Sequence, residues 1–343
     1  MKRLLLGLLL TGTLCAQTSI PAVVVDNSGQ TAHGLQKSDF SVTCGKTATF
    51  DSVEEVNPVA LNGFSDPTPV FILYDAVSVP APTEGQVANT LLEYLRRAAA
   101  ERLPVTLLVN QGGGVVKLIH DLSIDPVVLS AAISRIKSKE SQPVPNNADP
   151  NFEQKVMQES ERLRELTHFV PHHRFGPVEI EQLTALQAIG TMLQRSGKRK
   201  FLVWITAWFS MTVGSDEVSH DVGPFIGPYK AQAISSYQNA MDVLNKARVS
   251  VYPMGVPLPP ATGETQYLVL SGIAMSTGGK VLPHFTDTND FAASLADLRK
   301  HADSYYMIAL STLPQKTSWV SATIKVSRPD LKVAAPNGFL AGQ

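Results

Sequence analysis

The chain has 343 residues, of which 44% are hydrophobic and 17% charged, proportions typical of a folded globular protein of about two domains. Its formal net charge of -1 at pH 7 gives no electrostatic reason to expect binding to nucleic acid or to an anionic membrane surface. Composition therefore excludes the strongly basic binding classes and leaves the partner open.

Residues 1–16 follow the order of a secretory signal peptide: basic residues, a short apolar stretch and small residues ending at Ala16. This order predicts that the protein is exported, to the periplasm or out of the cell, and that the mature chain begins at Gln17. A lipoprotein acylated at Cys15 is the alternative, which the bulky Leu14 disfavours. The apolar stretch is too short to span a membrane and no later run is long enough, so no transmembrane segment is expected in the mature chain.

Short strand patterns occur at both ends of the mature chain. Residues 17–66 contain three such patterns, separated by turn residues and followed by a proline-bearing linker. Residues 313–343 contain two more, with no helix pattern after them. Neither set has enough strands to bury a hydrophobic face alone. We therefore predict that the two chain ends together form one small β-sandwich subdomain.

Between these ends, residues 67–312 alternate strand and helix patterns. Val70 to Tyr74 is a continuous apolar run, typical of a strand buried on both faces, and residues 201–205 repeat it. The alternation predicts an α/β domain with a doubly wound, mostly parallel sheet, in which residues 304–311 form the last strand. The charged stretch 137–177 interrupts the alternation and is predicted to be a helical insertion on the surface.

Polar and aromatic residues follow the two buried runs. Asp75 and Ser78 come after the first run, and Thr206, Trp208 and Phe209 come after the second. Open α/β sheets bind ligands at the carboxyl ends of their strands, and aromatic side chains anchor interfaces well. These five residues form the candidate partner-binding set. The alternative is that Asp75 only caps its turn and that the two aromatic side chains pack under the loop that follows.

The densest histidine cluster, His168, His172 and His173, lies within the predicted insertion. Imidazole groups are common zinc ligands, but His172 and His173 are adjacent and the chain has no His-Glu-x-x-His helix. The cluster is a weak alternative metal site, and a solvated loop is the default interpretation. No cofactor is expected.

Five motifs occur in order along nearly the whole mature chain. They are VDNSG (25–29) with GLQKSDFSV (34–42), VFILYD (70–75), KRKFLVWIT (198–206), SYYMIAL (304–310), and VSRPDL (326–331) with NGF (337–339). Taken together they resemble the motifs of the exported bacterial "VWFA-related" proteins known mainly from Acidobacteria, which have a von Willebrand factor type A domain. The resemblance implies a Rossmann-like α/β domain in a binding protein.

Members of that wider fold bind a divalent cation through Asp-x-Ser-x-Ser after the first strand, a later threonine and an aspartate after the fourth strand. The ion then binds a carboxylate of the partner. In this chain the first motif starts at Asp75, but Val77 and Val79 replace both hydroxyl residues and Ala207 stands at the later acidic position. A hard cation takes about six oxygen ligands. The resemblance therefore implies a degenerate metal-ion-dependent adhesion site and binding that needs no metal ion.

The leading hypothesis is a non-enzymatic module that binds an unidentified protein or peptide. An exported hydrolase is the alternative from another class, because Asp75, Ser78 and His120 have the residue types of a catalytic triad. The chain has no Gly-x-Ser-x-Gly motif, no Cys/His pair and no paired carboxylates in adjacent strand-end loops, which disfavours this alternative. A structural component of the cell envelope is the third interpretation.

Overall fold

The computed structural model describes residues 18–44, 50–56, 69–101, 103–112, 116–120, 177–194, 199–207, 209, 227–256, 263–300, 304–311 and 318–341. Within these ranges lie five α-helices and twelve β-strands. The helices are α1 (Ala81–Ala100), α2 (Pro177–Leu193), α3 (Gly227–Lys246), α4 (Gly263–Ser276) and α5 (Thr288–Lys300). The strands are β1 (Ser19–Val25), β2 (Phe40–Cys44), β3 (Phe50–Val56), β4 (Val70–Asp75), β5 (Val105–Asn110), β6 (Val116–His120), β7 (Lys200–Thr206), β8 (Val249–Gly255), β9 (Tyr305–Leu310), β10 (Ser318–Val326), β11 (Lys332–Ala334) and β12 (Gly338–Ala341).

Five strands form the central sheet in the order β6-β5-β4-β7-β8, with β4 in the middle. β4, β5, β7 and β8 are parallel, and β6 pairs antiparallel at one edge. All residues of β4, β5 and β7 are buried. Such strands carry apolar residues on both faces because helices cover both faces of the sheet. The structure therefore has the predicted α/β class with a mostly parallel sheet.

Two hydrophobic layers flank the central sheet. Successive side chains of β4 point to opposite faces, so Ile72 packs with α1 and α5 whereas Leu73 packs with α2, α3 and α4. Both side chains are at most 1% exposed. Because the four parallel strands run in one direction, their carboxyl ends meet at one edge of the sheet, here called the carboxyl edge.

Two antiparallel sheets, in the orders β11-β1-β9-β3 and β12-β10-β2, join the two chain ends. β1 pairs with β11, and β2 pairs with β10. Side chains from both sheets share one hydrophobic cluster, which contains Val24, Val42, Tyr306 and Ile324. The predicted partnership of N-terminal and C-terminal strands is therefore observed in the strand pairing.

The position of β9 corrects one expectation. Residues 304–311 were expected to end the parallel sheet, but β9 lies between β1 and β3 in an antiparallel sheet. Beyond β8, the parallel sheet gains only an isolated parallel bridge between Met254 and Leu282 within the described residues. An apolar run buried on both faces has the same pattern in either kind of sheet, so the run alone does not identify its neighbours.

The antiparallel sheets dock on the ends of α3 and α4, at the edge of the parallel sheet opposite the carboxyl edge. Asn245 Nδ2 donates to the backbone oxygen of Gly338 at 3.2 Å, and the backbone N–H of Asn337 donates to the oxygen of Met275 at 3.2 Å. Trp319 of β10 packs into the hydrophobic layer formed with α2, α3 and α4. These contacts leave the carboxyl edge away from the docked sheets.

Several predicted features lie outside the described residues: the signal peptide, residues 137–176 of the predicted insertion with its three histidines, and Trp208. Pro177, the last residue of the predicted insertion 137–177, begins α2. Among the helices that the structure describes, none combines the length and the apolar character that a membrane span requires.

We expect a chain ending at Pro314 to expose its N-terminal strands. Such a chain lacks β10 and β11, the partners of β2 and β1, and with them the contact of Ile324 to the shared cluster. Limited proteolysis read by mass spectrometry should therefore cleave residues 20–44 roughly tenfold faster or more than in the intact chain. Peptides from β4 serve as the internal control. Unchanged protection of residues 20–44 would contradict the observed pairing.

Candidate functional site

The candidate site is built at the carboxyl ends of three neighbouring strands. Asp75 ends β4, Asn110 ends β5 and Thr206 ends β7, and the first two are direct partners in the parallel register. Ser78 lies in the short loop between β4 and α1, and Gln182 comes from the second turn of α2. Five polar side chains thus converge at the edge where open α/β sheets bind ligands.

The fully buried carboxylate of Asp75 is the central acceptor of this network. Its Oδ1 accepts a hydrogen bond from Asn110 Nδ2 at 2.9 Å. Its Oδ2 accepts from Gln182 Nε2 at 2.5 Å and from Thr206 Oγ1 at 3.1 Å. A buried carboxylate is costly unless hydrogen bonds replace its lost hydration. Three neutral hydrogen-bond donors therefore stabilise the buried carboxylate of Asp75 in place of water.

A pair of hydroxyl groups lies beside the carboxylate. Ser78 Oγ and Thr206 Oγ1 are 2.9 Å apart. Because Thr206 donates its single proton to Asp75, Ser78 is the donor in the bond between the two hydroxyls, and the backbone oxygen of Asp75, 3.3 Å from Ser78 Oγ, is a second acceptor for the same proton. Ser78 Oγ in turn accepts from the backbone N–H of Ala207 at 3.2 Å. Both hydroxyl groups are thus used within the network, and their residues are 5% and 0% exposed.

Three half-buried residues, Val77, Gly112 and Glu181, form a rim above the network. Gly112 has a φ of +95°, and a Cβ atom at this position would lie 3.4 Å from Glu181 Oε2 and 3.5 Å from Val77 Cγ2. Its backbone N–H donates to Asn110 Oδ1 at 3.2 Å, which ties the rim to the network. Glycine suits this backbone conformation because it has no Cβ atom. The rim offers a small aliphatic surface beside one carboxylate.

The structure brings together three of the predicted partner-binding residues, Asp75, Ser78 and Thr206, but buries all three side chains. Phe209 is 2% exposed and packs edge-on against Trp204, with ring centroids 5.7 Å apart. The expectation that these four side chains form a contact surface is therefore corrected. Three of them build the internal network, and Phe209 belongs to the hydrophobic layer formed with α2, α3 and α4.

Sequence reasoning missed Asn110 and Gln182. A usable signal existed for Asn110, because it ends an apolar run just as Asp75 does. Gln182 gave no such signal, since it is one polar residue among several on an amphipathic helix and lies 107 residues from Asp75. Its role depends on the packing of α2 against the sheet, which is a tertiary contact.

The residues present do not fit the divalent cation that the family resemblance implies. Both oxygens of Asp75 already accept hydrogen bonds, and Val77, Val79 and Ala207 supply no side-chain oxygen. Within the described residues no group of three or more His, Cys, Asp or Glu side chains is arranged to hold a metal ion. A hard cation needs about six oxygen ligands, far more than this donor set can offer.

The strand register places the backbone of His120 away from Asp75 and Ser78. β6 runs antiparallel to β5, and its last residue, His120, lies opposite Leu107. Leu107 precedes Asn110, the register partner of Asp75, by three residues, which places His120 about 10 Å below the edge. The hydrogen bonds of Asp75 and Ser78 in the described part of the chain go instead to amide, hydroxyl and backbone groups.

Neither the models of known protein families nor the curated proteins contain a match to this chain. Among solved structures, a manganese-loaded TRAP protein of Plasmodium vivax is 11% identical, with 82% of this chain and 95% of that chain covered and a TM-score of 0.35. The pilus adhesin SpaC of Lactobacillus rhamnosus GG, in its open conformation, is 10% identical, with 88% and 47% covered and a TM-score of 0.42. The conserved hypothetical protein BatB of Bacteroides thetaiotaomicron is 15% identical, with 68% and 98% covered and a TM-score of 0.32. At these TM-scores the likeness carries no argument about function.

Proposed function

We propose that this protein is an exported, non-enzymatic binding module with a von Willebrand factor type A-like domain. It binds a protein or peptide at the carboxyl edge of its parallel sheet and needs no metal ion for this. The observation that carries the proposal is that the polar groups around Asp75 are buried and bonded to one another. Such a network makes a rigid edge but leaves no group free for acid–base or nucleophilic chemistry.

The order of the central sheet supports this class of domain. A parallel sheet with one antiparallel edge strand has helices on both faces, and its middle strand ends at Asp75. These elements support the proposed von Willebrand factor type A-like domain. The two antiparallel sheets share one hydrophobic cluster, which supports the proposed β-sandwich subdomain. The N-terminal pattern of residues 1–16 supports export.

Among the residues described at the carboxyl edge, the rim of Val77, Gly112 and Glu181 is accessible to a partner, because these residues are half-buried whereas the network below them is buried. Gly112 has no side chain, so the backbone of a partner can approach it closely. Val77 and Glu181 flank this position with an aliphatic group and a carboxylate. These features suit contact with a polypeptide.

A photo-crosslinking residue in place of Val77 is expected to capture a protein from the extracytoplasmic fraction of the native host. The yield should be equal in magnesium and in EDTA, because the rim contains no metal site. The matched control replaces Glu101, which is exposed at the end of α1 and therefore lies at the opposite edge of the sheet. Capture at Glu101 should be several times weaker.

Equal capture at Val77 and Glu101 would contradict binding at this edge. Capture that disappears in EDTA would contradict metal independence. Covalent labelling of Ser78 by a fluorophosphonate, which reacts with activated serine hydroxyls, would restore the hydrolase alternative.

A further inference from the structure

We propose that the side-chain amide of Gln182 takes the place of a cation at the carboxyl edge. Its nitrogen occupies the position between Asp75 Oδ2 and Thr206 Oγ1, and the two contacts hold α2 on the sheet. The inference rests on the proposed function only for the location of the binding edge. It assigns Gln182 as the positioning residue that makes this edge independent of ions.

The distances leave room for one occupant. Gln182 Nε2 lies 2.5 Å from Asp75 Oδ2 and 3.4 Å from Thr206 Oγ1, and these two oxygens are 3.1 Å apart. Ser78 Oγ lies 2.9 Å from Thr206 Oγ1. Divalent cations bind oxygens at about 2.0–2.6 Å, so a cation bridging the same two oxygens would overlap the amide nitrogen. The amide and the cation therefore exclude each other.

The chemistry of the amide matches this role. A carboxylate only accepts hydrogen bonds, so the nitrogen of Gln182, and not its oxygen, faces Asp75. The amide nitrogen contacts the same two oxygens that a bridging cation would contact. Gln182 is 1% exposed, and hydrogen bonds to a carboxylate are stronger away from water. Because the amide is covalently part of the chain, its presence does not depend on ion concentration.

The position of Gln182 connects the network to the rim. Gln182 attaches the second turn of α2 to the ends of β4 and β7. The preceding residue, Glu181, lies in the rim beside Gly112 and Val77. The amide therefore sets where the rim stands relative to the sheet, without contacting the partner itself.

The test compares the melting temperature of the full mature chain and its variants in millimolar manganese and in EDTA. In Gln182→Glu a second carboxylate replaces the amide beside Asp75, and two like charges favour a bridging cation. We expect the wild type to melt at the same temperature in both solutions. We expect Gln182→Glu to melt lower in EDTA and to gain about 5 °C or more at saturating manganese. Gln187→Glu, further along α2, adds the same charge and should show no manganese gain.

Gln182→Ala covers the case in which the added carboxylate prevents folding in both solutions. It removes both amide contacts and adds neither charge nor oxygen, so we expect it to melt several degrees below the wild type, and equally in manganese and in EDTA. Melting at the wild-type temperature overturns the proposal. A folded Gln182→Glu variant that ignores manganese, or a wild type stabilised by it, also overturns the proposal. No partner takes part in these measurements. Failed capture at Val77 would therefore count against the proposed function but not against the role of Gln182. Melting results that contradict the role of Gln182 would likewise leave the proposed function untouched.

Discussion

The Asp75→Ala variant is expected to unfold with a free energy about 4 kcal/mol below that of the wild type. The substitution removes the acceptor of three buried hydrogen bonds, donated by Asn110, Gln182 and Thr206. These donors are 1%, 1% and 0% exposed, so water cannot replace the lost acceptor. Each buried donor that loses the carboxylate as its acceptor costs about 1–3 kcal/mol, which accounts for a loss of this size.

Urea denaturation followed by tryptophan fluorescence measures this loss, and Asp297→Ala is the matched control. Asp297 is half-exposed on α5 and pairs with Lys280 at 3.2 Å, a surface ion pair whose removal costs about 0–1 kcal/mol. Asp75→Asn keeps the shape of the side chain but turns its own N–H groups toward neighbouring donors, so it is also expected to be destabilised. A loss in Asp75→Ala no larger than in Asp297→Ala would show that the network does not hold the carboxyl edge together.

The Gly279→Ala variant is expected to lose about 4 kcal/mol or more, enough to reduce soluble expression sharply. A Cβ atom at Gly279 would lie 1.9 Å from the backbone oxygen of Val251 and 2.8 Å from its carbonyl carbon. Val251 belongs to β8, which pairs with β7 along its length and cannot move aside without breaking the sheet. The turn is also held in place, because Arg199 Nη2 donates to the oxygen of Gly278 and the N–H of Val251 donates to Thr277 Oγ1.

Gly34→Ala separates this steric collision from backbone strain. Gly34 has a φ of +71°, but no atom lies within 4 Å of an added Cβ. The strain of a non-glycine residue in that conformation costs about 1 kcal/mol. Urea denaturation, or soluble yield where Gly279→Ala cannot be purified, compares the two variants. Similar losses in both would mean that the close approach of Gly279 to β8 is absent.

The strands of the central sheet could be predicted because their burial is a local property. Val70 to Tyr74 and residues 201–205 are apolar along their whole length, which indicates cover on both faces whatever strand lies beside them. β9 shows the limit of this reasoning. The residues of β9 are equally apolar, yet its partners are β1 and β3, and the residue pattern of β9 does not identify these partners.

Part of the candidate site was accessible to the same reasoning. Asp75 and Thr206 each end a buried run, and parallel strands bring such ends to one edge, so their meeting follows from the strand directions. The exposure of a loop residue does not follow in this way. Phe209 is buried because a layer of helices covers it, and Trp204 of β7 supplies its ring contact.

The sequence by itself determined that Val77, Val79 and Ala207, which stand where the family resemblance implies oxygen ligands, lack side-chain oxygens in any conformation. Only the tertiary structure decided what serves Asp75 instead. Gln182 reaches the carboxylate because α2 packs on the face of the sheet beside it. The tendency of a whole strand to be buried follows from its own apolar residues and leaves a pattern along the chain, whereas a hydrogen bond depends on two residues that only the fold brings together.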